Sequence, residues 1–378
     1  MKIVHILKGK ANPDTLNGVN KVVHHLATEQ LRLGIEVEVW GITANPTEIR
    51  HRHCYPLHLF PVTRSRFAPS KSLREAITSL STEHTIVHLH SVFLPELYGV
   101  SRLLKKSGVP WVLSPHSGYA SQSMKKNKLA KSVYMMLFEK KVISDAIRVH
   151  AIGASEVHDL KQFDNNLVVV LIPNGQAIEE VKFNPVQCME PNEKPVFGFC
   201  GRLAKEHKGL DLLIQGFARY KNDEGKGELW LIGDGPDRAI LQELAAKEGV
   251  NNSVRFFGKL FGDEKLTVLS KMDVFAHTSR WEGIPMAVLE AAALGKPLLV
   301  SKATNLGDYV KTYGNGIVLT DNTLEIICES LFEFGKLYAA QKVGRMGLKS
   351  IKLIEVELSW RNIAMAMLRK LYPQAEKV

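Results

Sequence analysis

Short β-rich runs alternate with helical stretches along this chain, and the alternation runs through twice. Residues 2–7 read as a buried strand, and residues 9–18 as a loop rich in Gly, Asn, Pro and Asp. Helical periodicity follows over 19–33, with Val19, Val22, Val23 and Leu26 on one face and Gly34 as the stop. Further strands are expected at 37–42, 85–89, 109–114, 146–152 and 167–172. Residues 174–195 hold two internal prolines, several charges and little periodicity, which reads as a linker. A fresh alternation then begins, with strands at 196–200, 228–233, 253–257, 274–277 and 297–301 and helices at 210–220, 238–248, 263–271 and 285–294. Alternation of this length constrains the chain to parallel, doubly wound α/β sheets. The two blocks predict two Rossmann-like domains, residues 1–180 and 190–358, facing each other across a cleft. Ligands are then expected at the carboxyl ends of the strands.

A chain of 378 residues suits two domains. With 45% hydrophobic and 23% charged residues it has ample apolar side chain to bury, which argues against disorder. No stretch reaches 18 uninterrupted apolar residues, so no spanning helix is expected. The apolar part of the start is too short for a signal peptide. Cys54, Cys188, Cys200 and Cys328 form no Cys-x-x-Cys pair, which fits a reducing cytoplasm. The net charge of +10 is uneven: residues 1–185 hold 23 Lys+Arg against 15 Asp+Glu, and 12 of the 14 histidines precede residue 160. Surplus charge of this kind points either to an anionic partner or to a solvated lysine-rich face.

Four segments carry candidate chemistry. In Ser279–Ala292, Pro285 suits the first position of a helix and Gly295 its end. Glu282 then lies in the loop before the helix and Glu290 on it. The free N–H groups around residues 283–287 form an anion site. A carboxylate beside such a site can accept hydrogen bonds from the hydroxyls of a sugar or ribose. The plainer alternatives are a helix-start acid for Glu282 and an exposed helix residue for Glu290. In Gly201-Arg202-Leu203 and Lys208-Gly209, a fork-shaped and a point cation sit in the loop after a strand, as a diphosphate requires; a solvated loop is the alternative. Asp211, close to a helix start, reads as structural. Asn17-Gly18-Val19 closes the first loop at a helix N-terminus, where Gly18 serves either a phosphate's approach or the loop's own dihedrals. In Ser114-Pro115-His116, His116 sits at a strand end, where cleft residues belong.

Together these segments resemble the retaining glycosyltransferases of family 4, whose two-domain architecture is called GT-B. The resemblance covers nearly the whole chain and includes Gly233-Asp-Gly-Pro236 and Leu358-Ser-Trp360 with the apolar helix that follows. It implies that Arg202 and Lys208 bind the donor diphosphate, that Glu282, Gly283, Ile284 and Pro285 hold the donor sugar, and that Glu290 binds the ribose. It also implies that Leu260 lies along the base, that Gly18 approaches the phosphates, and that His116 faces the reacting carbon, with His116 and Glu282 in catalytic roles. The helix over 359–378 is expected to return to the N-terminal, acceptor-binding domain, and residues 190–358 to bind the donor. The donor implied is a UDP- or GDP-sugar, and the acceptor a glycan or a polyprenyl-diphosphate-linked glycan in surface polysaccharide synthesis. The family usually has two glycines in the first loop, where this chain has Asn17 and Gly18.

No Asp-x-Asp occurs, so the usual metal clamp on a nucleotide diphosphate is missing and no metal or other cofactor is expected. His51-Arg-His-Cys54 lacks a second ligand pair. The pattern at Gly233-Asp-Gly235 lacks the third glycine of a dinucleotide fingerprint, and there is no P-loop. Residues 124–141 hold six lysines among apolar residues. This segment is either a basic amphipathic helix touching an anionic membrane surface, which would make the protein peripheral on the inner face of the cytoplasmic membrane, or a helix with its apolar side packed inward. Two other readings are a nucleotide-sugar epimerase of the same fold and a nucleic-acid-binding protein. The glutamate pair argues against the first, and the lack of a recognition module against any nucleic-acid partner.

Overall fold

In the computed structural model, which describes residues 1–13, 18–47, 53–120, 124, 127–177 and 192–372, the chain divides into two compact units. The first is Met1–Gly175 with Trp360–Val378, and the second is Gln176–Ser359. The chain therefore changes unit after 175 and after 359, whereas the sequence reading put the edges at 180, 190 and 358. Asn17, His51, Arg52, Lys125, Lys126, residues 178–191 of the linker and residues 373–378 lie outside the described residues.

The first unit holds seven parallel strands: β1 (Lys2–Lys8), β2 (Glu36–Thr43), β3 (Leu57–Pro61), β4 (Thr85–His90), β5 (Trp111–Ser114), β6 (Arg148–Ala151) and β7 (Val169–Leu171). Their order is 3-2-1-4-5-6-7. The second holds six: β8 (Val196–Cys200), β9 (Glu228–Ile232), β10 (Val254–Gly258), β11 (Val274–His277), β12 (Leu298–Val300) and β13 (Gly316–Val318), in the order 10-9-8-11-12-13. Each order reverses once, between β1 and β4 and between β8 and β11. Such reversals are the points where open α/β sheets offer ligands a crevice at the carboxyl ends of their strands.

Central parallel strands are covered on both faces, so they read as continuous apolar runs. In β1, Ile3, Val4, Ile6 and Leu7 are all inaccessible to solvent. The second sheet is apolar on both sides. Phe197, Phe199, Leu229 and Leu231 join one cluster, and Val196, Ile232, Phe275 and Leu298 another. The first sheet differs. One face packs Val4, Ile6, Val87, Leu89, Leu113 and Val149. The other carries His5, His88, His90, Ser114 and His150, every one of them buried. A polar atom buried there without a partner would cost about 1–3 kcal/mol, so such a row persists only when its atoms are paired.

Two edge strands, β3 and β13, fall outside the alternation read from the sequence. Edge strands are short and half-covered, and their apolar signal is correspondingly weak. The helix after Glu282 begins at Met286, with Pro285 as its extended flanking residue rather than its first. Among the described residues, no helix is long and apolar enough to cross a membrane. Cys54, Cys200 and Cys328 are free thiols.

Candidate active site

The loops leaving β8 and β11 carry most of the residues singled out from the sequence. Glu282 is mostly buried and forms an ion pair with Lys208. His277 at the end of β11 lies 3.4 Å from the same carboxylate oxygen, and the Ser279 hydroxyl 3.5 Å. Burial alone would push this carboxyl up. The hydrogen bond from His277 and the Lys208 charge outweigh it and hold the group at about 2. Glu282 is therefore a carboxylate at any physiological pH. His207, stacked on Trp281 at 5.0 Å, is pushed below its ordinary value by burial and by Lys208.

Backbone geometry holds the two loops together. Arg280 forks onto both oxygens of Asp211 at 2.8 Å and donates to the Glu206 carbonyl at 2.9 Å. Asp211 is thus a structural anchor of the loop that carries Glu282. Asn305 donates to the carbonyls of Glu282 and Gly283 at 3.1 and 3.0 Å. Gly209 has φ +62°, and a Cβ there would collide with the Thr278 carbonyl oxygen, so the turn after Lys208 requires glycine.

The predicted cations differ in state. Lys208 is committed to Glu282, whereas Arg202 is exposed and makes no side-chain hydrogen bond or ion pair among the described residues. Gly283 is half-buried, and Ile284 and Pro285 are buried at the helix start. Glu290 is not an exposed helix residue: it is mostly buried, with the Lys265 ammonium 3.0 and 2.8 Å from its two oxygens. Leu260 is half-buried against the apolar cluster beneath β11.

Gly18 and His116 belong to the first unit. Gly18 opens the helix Gly18–Arg32, and among the described residues a Cβ on it would meet nothing within 4 Å. His116 has φ +50° and Ser117 +60°, an uncommon conformation for residues with a Cβ. The Glu156 carboxylate clamps this turn, accepting from the backbone N–H of Ser117 at 2.6 Å and of Ile152 at 2.9 Å. Burial pushes Glu156 up to about 7.

The sequence reading missed His277, Arg280 and Asn305. A signal existed for His277, a lone polar residue closing an apolar strand. The contacts of Arg280 and Asn305 span 69 and 22–23 residues and leave no local pattern. In the basic segment, Leu129, Val133, Met136 and Leu137 are 84%, 52%, 69% and 46% exposed, beside exposed Lys128, Lys140 and Lys141. These four residues are therefore not packed inward, whereas Met135 is. The opposite side is packed too, through Phe138 against Phe67 at 4.8 Å and Tyr98 at 5.1 Å.

Comparison with known proteins agrees with this geometry. The family model for glycosyltransferase family 4 matches residues 16–180, and that for glycosyl transferases group 1 matches residues 181–334. D-inositol 3-phosphate glycosyltransferase of Nocardia farcinica is 24% identical over 402 aligned residues, covering 95% of this chain and 85% of that protein. The lipopolysaccharide core biosynthesis glycosyltransferase LpsE of Rhizobium meliloti is 33% identical over 129 residues, 34% of this chain and 36% of that one. The crystal structure of Anabaena HepE in complex with UDP superposes with a TM-score of 0.75 at 18% identity, covering 98% of this chain and 99% of that one. With two matched models running together from residue 16 to residue 334 over two parallel α/β sheets, the chain belongs to the family 4 glycosyltransferases and has the GT-B fold.

Proposed function

We propose that this glycosyltransferase moves a sugar, with retention of configuration, from a UDP- or GDP-sugar to a hydroxyl of a glycan or polyprenyl-diphosphate-linked acceptor. The pathway we propose is the synthesis of a surface polysaccharide, such as a lipopolysaccharide, capsule or exopolysaccharide. The observation that carries the reading is Glu282, a carboxylate kept ionised beside a helix start and the Lys208 ammonium. An ionised carboxylate accepts hydrogen bonds from sugar hydroxyls, and Arg202 supplies a planar fork for a diphosphate. The UDP bound to HepE and the role in LpsE's name support the donor and the pathway.

In this reading Glu282, Gly283, Ile284 and Pro285 hold the donor sugar. Glu290 accepts from the ribose, Leu260 lies along the base, and Gly18 lets backbone approach the phosphates. His116 faces the reacting carbon. The acceptor attacks the face the diphosphate leaves, and the leaving phosphate takes the acceptor's proton. Arg202 and Lys208 meet the charge that develops, with no metal required. Residues 1–180 bind the acceptor and residues 190–358 the donor. The exposed apolar residues from Leu129 to Leu137, flanked by lysines, rest on the anionic inner face of the cytoplasmic membrane.

Melting curves with UDP, GDP, ADP and their sugars, with and without EDTA, test the reading. A nucleotide at about 100 times its Kd adds about 2.7 kcal/mol of stability. The expected result is a rise with one nucleotide that survives EDTA and disappears in Arg202→Ala. No rise with any of them overturns the donor site, and a rise abolished by EDTA overturns metal independence.

A further inference from the structure

The polar face of the first sheet forms one continuous chain of hydrogen bonds. His150 Nε2 lies 2.7 Å from the Ile172 carbonyl oxygen, and its Nδ1 2.7 Å from the Ser114 hydroxyl. That hydroxyl is 2.6 Å from His88 Nε2, and His88 Nδ1 is 2.8 Å from the Tyr372 hydroxyl. Tyr372 accepts from the Gln30 amide at 3.2 Å, and the Gln30 oxygen is 2.8 Å from His5 Nε2. His5 Nδ1 is 2.9 Å from His90 Nε2, and His90 Nδ1 is 3.0 Å from His116 Nε2. Strands β1, β4, β5 and β6, the helix Gly18–Arg32 and the C-terminal segment all contribute.

The direction of this chain follows from its first link. A carbonyl oxygen only accepts, so His150 Nε2 carries the proton and its Nδ1 accepts from Ser114. The single Ser114 proton is then used, so His88 Nε2 donates to the hydroxyl oxygen. His88 Nδ1 in turn accepts the Tyr372 proton, and Tyr372 oxygen accepts from the Gln30 NH₂. The Gln30 oxygen is left facing His5, which donates through Nε2. The same step repeats from His90 to His5 and from His116 to His90. Five neutral rings thus share one tautomer. A ring with a second proton would donate both ways and break the sequence. Burial opposes that proton, holding His5 and His150 at about 4 and His116 at about 3.

We propose that Tyr372 and Gln30 are positioning residues that lock His116 in its Nε2–H tautomer, leaving its Nδ1 as a hydrogen-bond acceptor. Among the described residues Nδ1 of His116 has no partner. A bare imidazole nitrogen accepts from a hydroxyl and repels a phosphate oxygen. The lock thus selects a hydroxyl-bearing group at this point. His5, His88 and His90 lie close enough together to suggest a metal site. All six of their ring nitrogens are already hydrogen-bonded, which leaves none for an ion.

The tautomers can be read by long-range ¹H–¹⁵N correlation on the full chain labelled at histidine. In the wild type all five rings should be Nε2–H. In Tyr372→Phe the Gln30 amide is free to turn over. His5, His90 and His116 should then become mixtures, while His150 and His88 stay Nε2–H on the Ile172 side of the break. General loosening would blur all five. Ser114→Ala should release His88 as well, and Ser114→Thr should restore it. An Nδ1–H or protonated His116 in the wild type, an unmixed His116 in Tyr372→Phe, or a metal ion bound by His5, His88 and His90 overturns the proposal. The consequence for turnover rests on the sugar transfer proposed above. If half of His116 is in the wrong tautomer, turnover falls roughly twofold. Tautomers that behave as stated without any glycosyl transfer would overturn that function and leave the lock standing.

Discussion

The two units bury polar groups by opposite means. The first sets neutral imidazoles across a sheet in one directional chain, joined ring to ring or through Gln30, Tyr372 and Ser114, so that these rings carry no charge. The second pairs a carboxylate with the Lys208 ammonium and keeps it ionised. A neutral chain is directional but loses its sense with one extra proton. An ion pair is insensitive to direction, but removing either partner strands a buried charge.

Acid should separate the two units most strongly. The five buried rings are depressed by burial below an ordinary value of about 6.5. Their contribution is fully present above that pH. It shrinks as pH falls, because the unfolded chain takes up protons that the folded one refuses. Each ring therefore lowers stability progressively through that window. Glu139 and Glu156, both pushed up to about 7 by burial, act in the opposite sense, but they are two against five. Unfolding of the first unit should therefore move to lower denaturant between pH 6.5 and pH 4.5. Glu282, depressed to about 2, keeps its contribution through that window and loses it between about 4.5 and 2, and the second unit sets only the two depressed histidines His277 and His207 against those five. Equal acid sensitivity in the two units would contradict the contrast.

Removing the Glu282 carboxylate comes next in size. Glu282→Ala leaves Lys208 mostly buried without its partner, which costs about 3–5 kcal/mol, and transfer should fall by at least about a hundredfold. Normal turnover in a folded Glu282→Ala protein would remove this residue from the site. Asp211→Ala breaks the fork from Arg280 and should cost about 2 kcal/mol. A double-mutant cycle with Arg280→Ala isolates that coupling, and an additive cycle would show that the anchor lies elsewhere. The smallest effect belongs to Gly18→Ala. Its Cβ would meet no described residue within 4 Å, so stability should change by less than about 1 kcal/mol, while donor affinity falls. Unchanged donor affinity would leave Gly18 without a ligand role.

Legibility in the sequence followed contact range. The strands β1, β8 and β11 were readable because a strand buried on both faces tends to read as an apolar run, and β4 because its residues are β-rich. Glu282 and Arg202 were readable because both follow such strands directly. The histidine chain was visible only as a skew in composition. His88-Leu89-His90 has the strand period, yet nothing local says that those rings meet His5, 83 and 85 residues away, or Tyr372, 284 residues away from His88. The exposure of Leu129 and Met136 was equally undecidable, since an amphipathic stripe looks the same whichever side faces the protein.

By itself, the sequence determined two doubly wound α/β blocks and the loops on which the chemistry sits. Periodicity and strand ends are local properties, written within a few residues. Only the tertiary structure decided the states of the groups in those loops. Lys208 is engaged while Arg202 is exposed and, among the described residues, makes no side-chain hydrogen bond or ion pair, and Glu282 is held ionised. His116 is the end of a chain that starts at a carbonyl on the far side of its sheet. Charge and proton position depend on which distant groups are brought within hydrogen-bond reach, and the order of residues along the chain does not encode that reach.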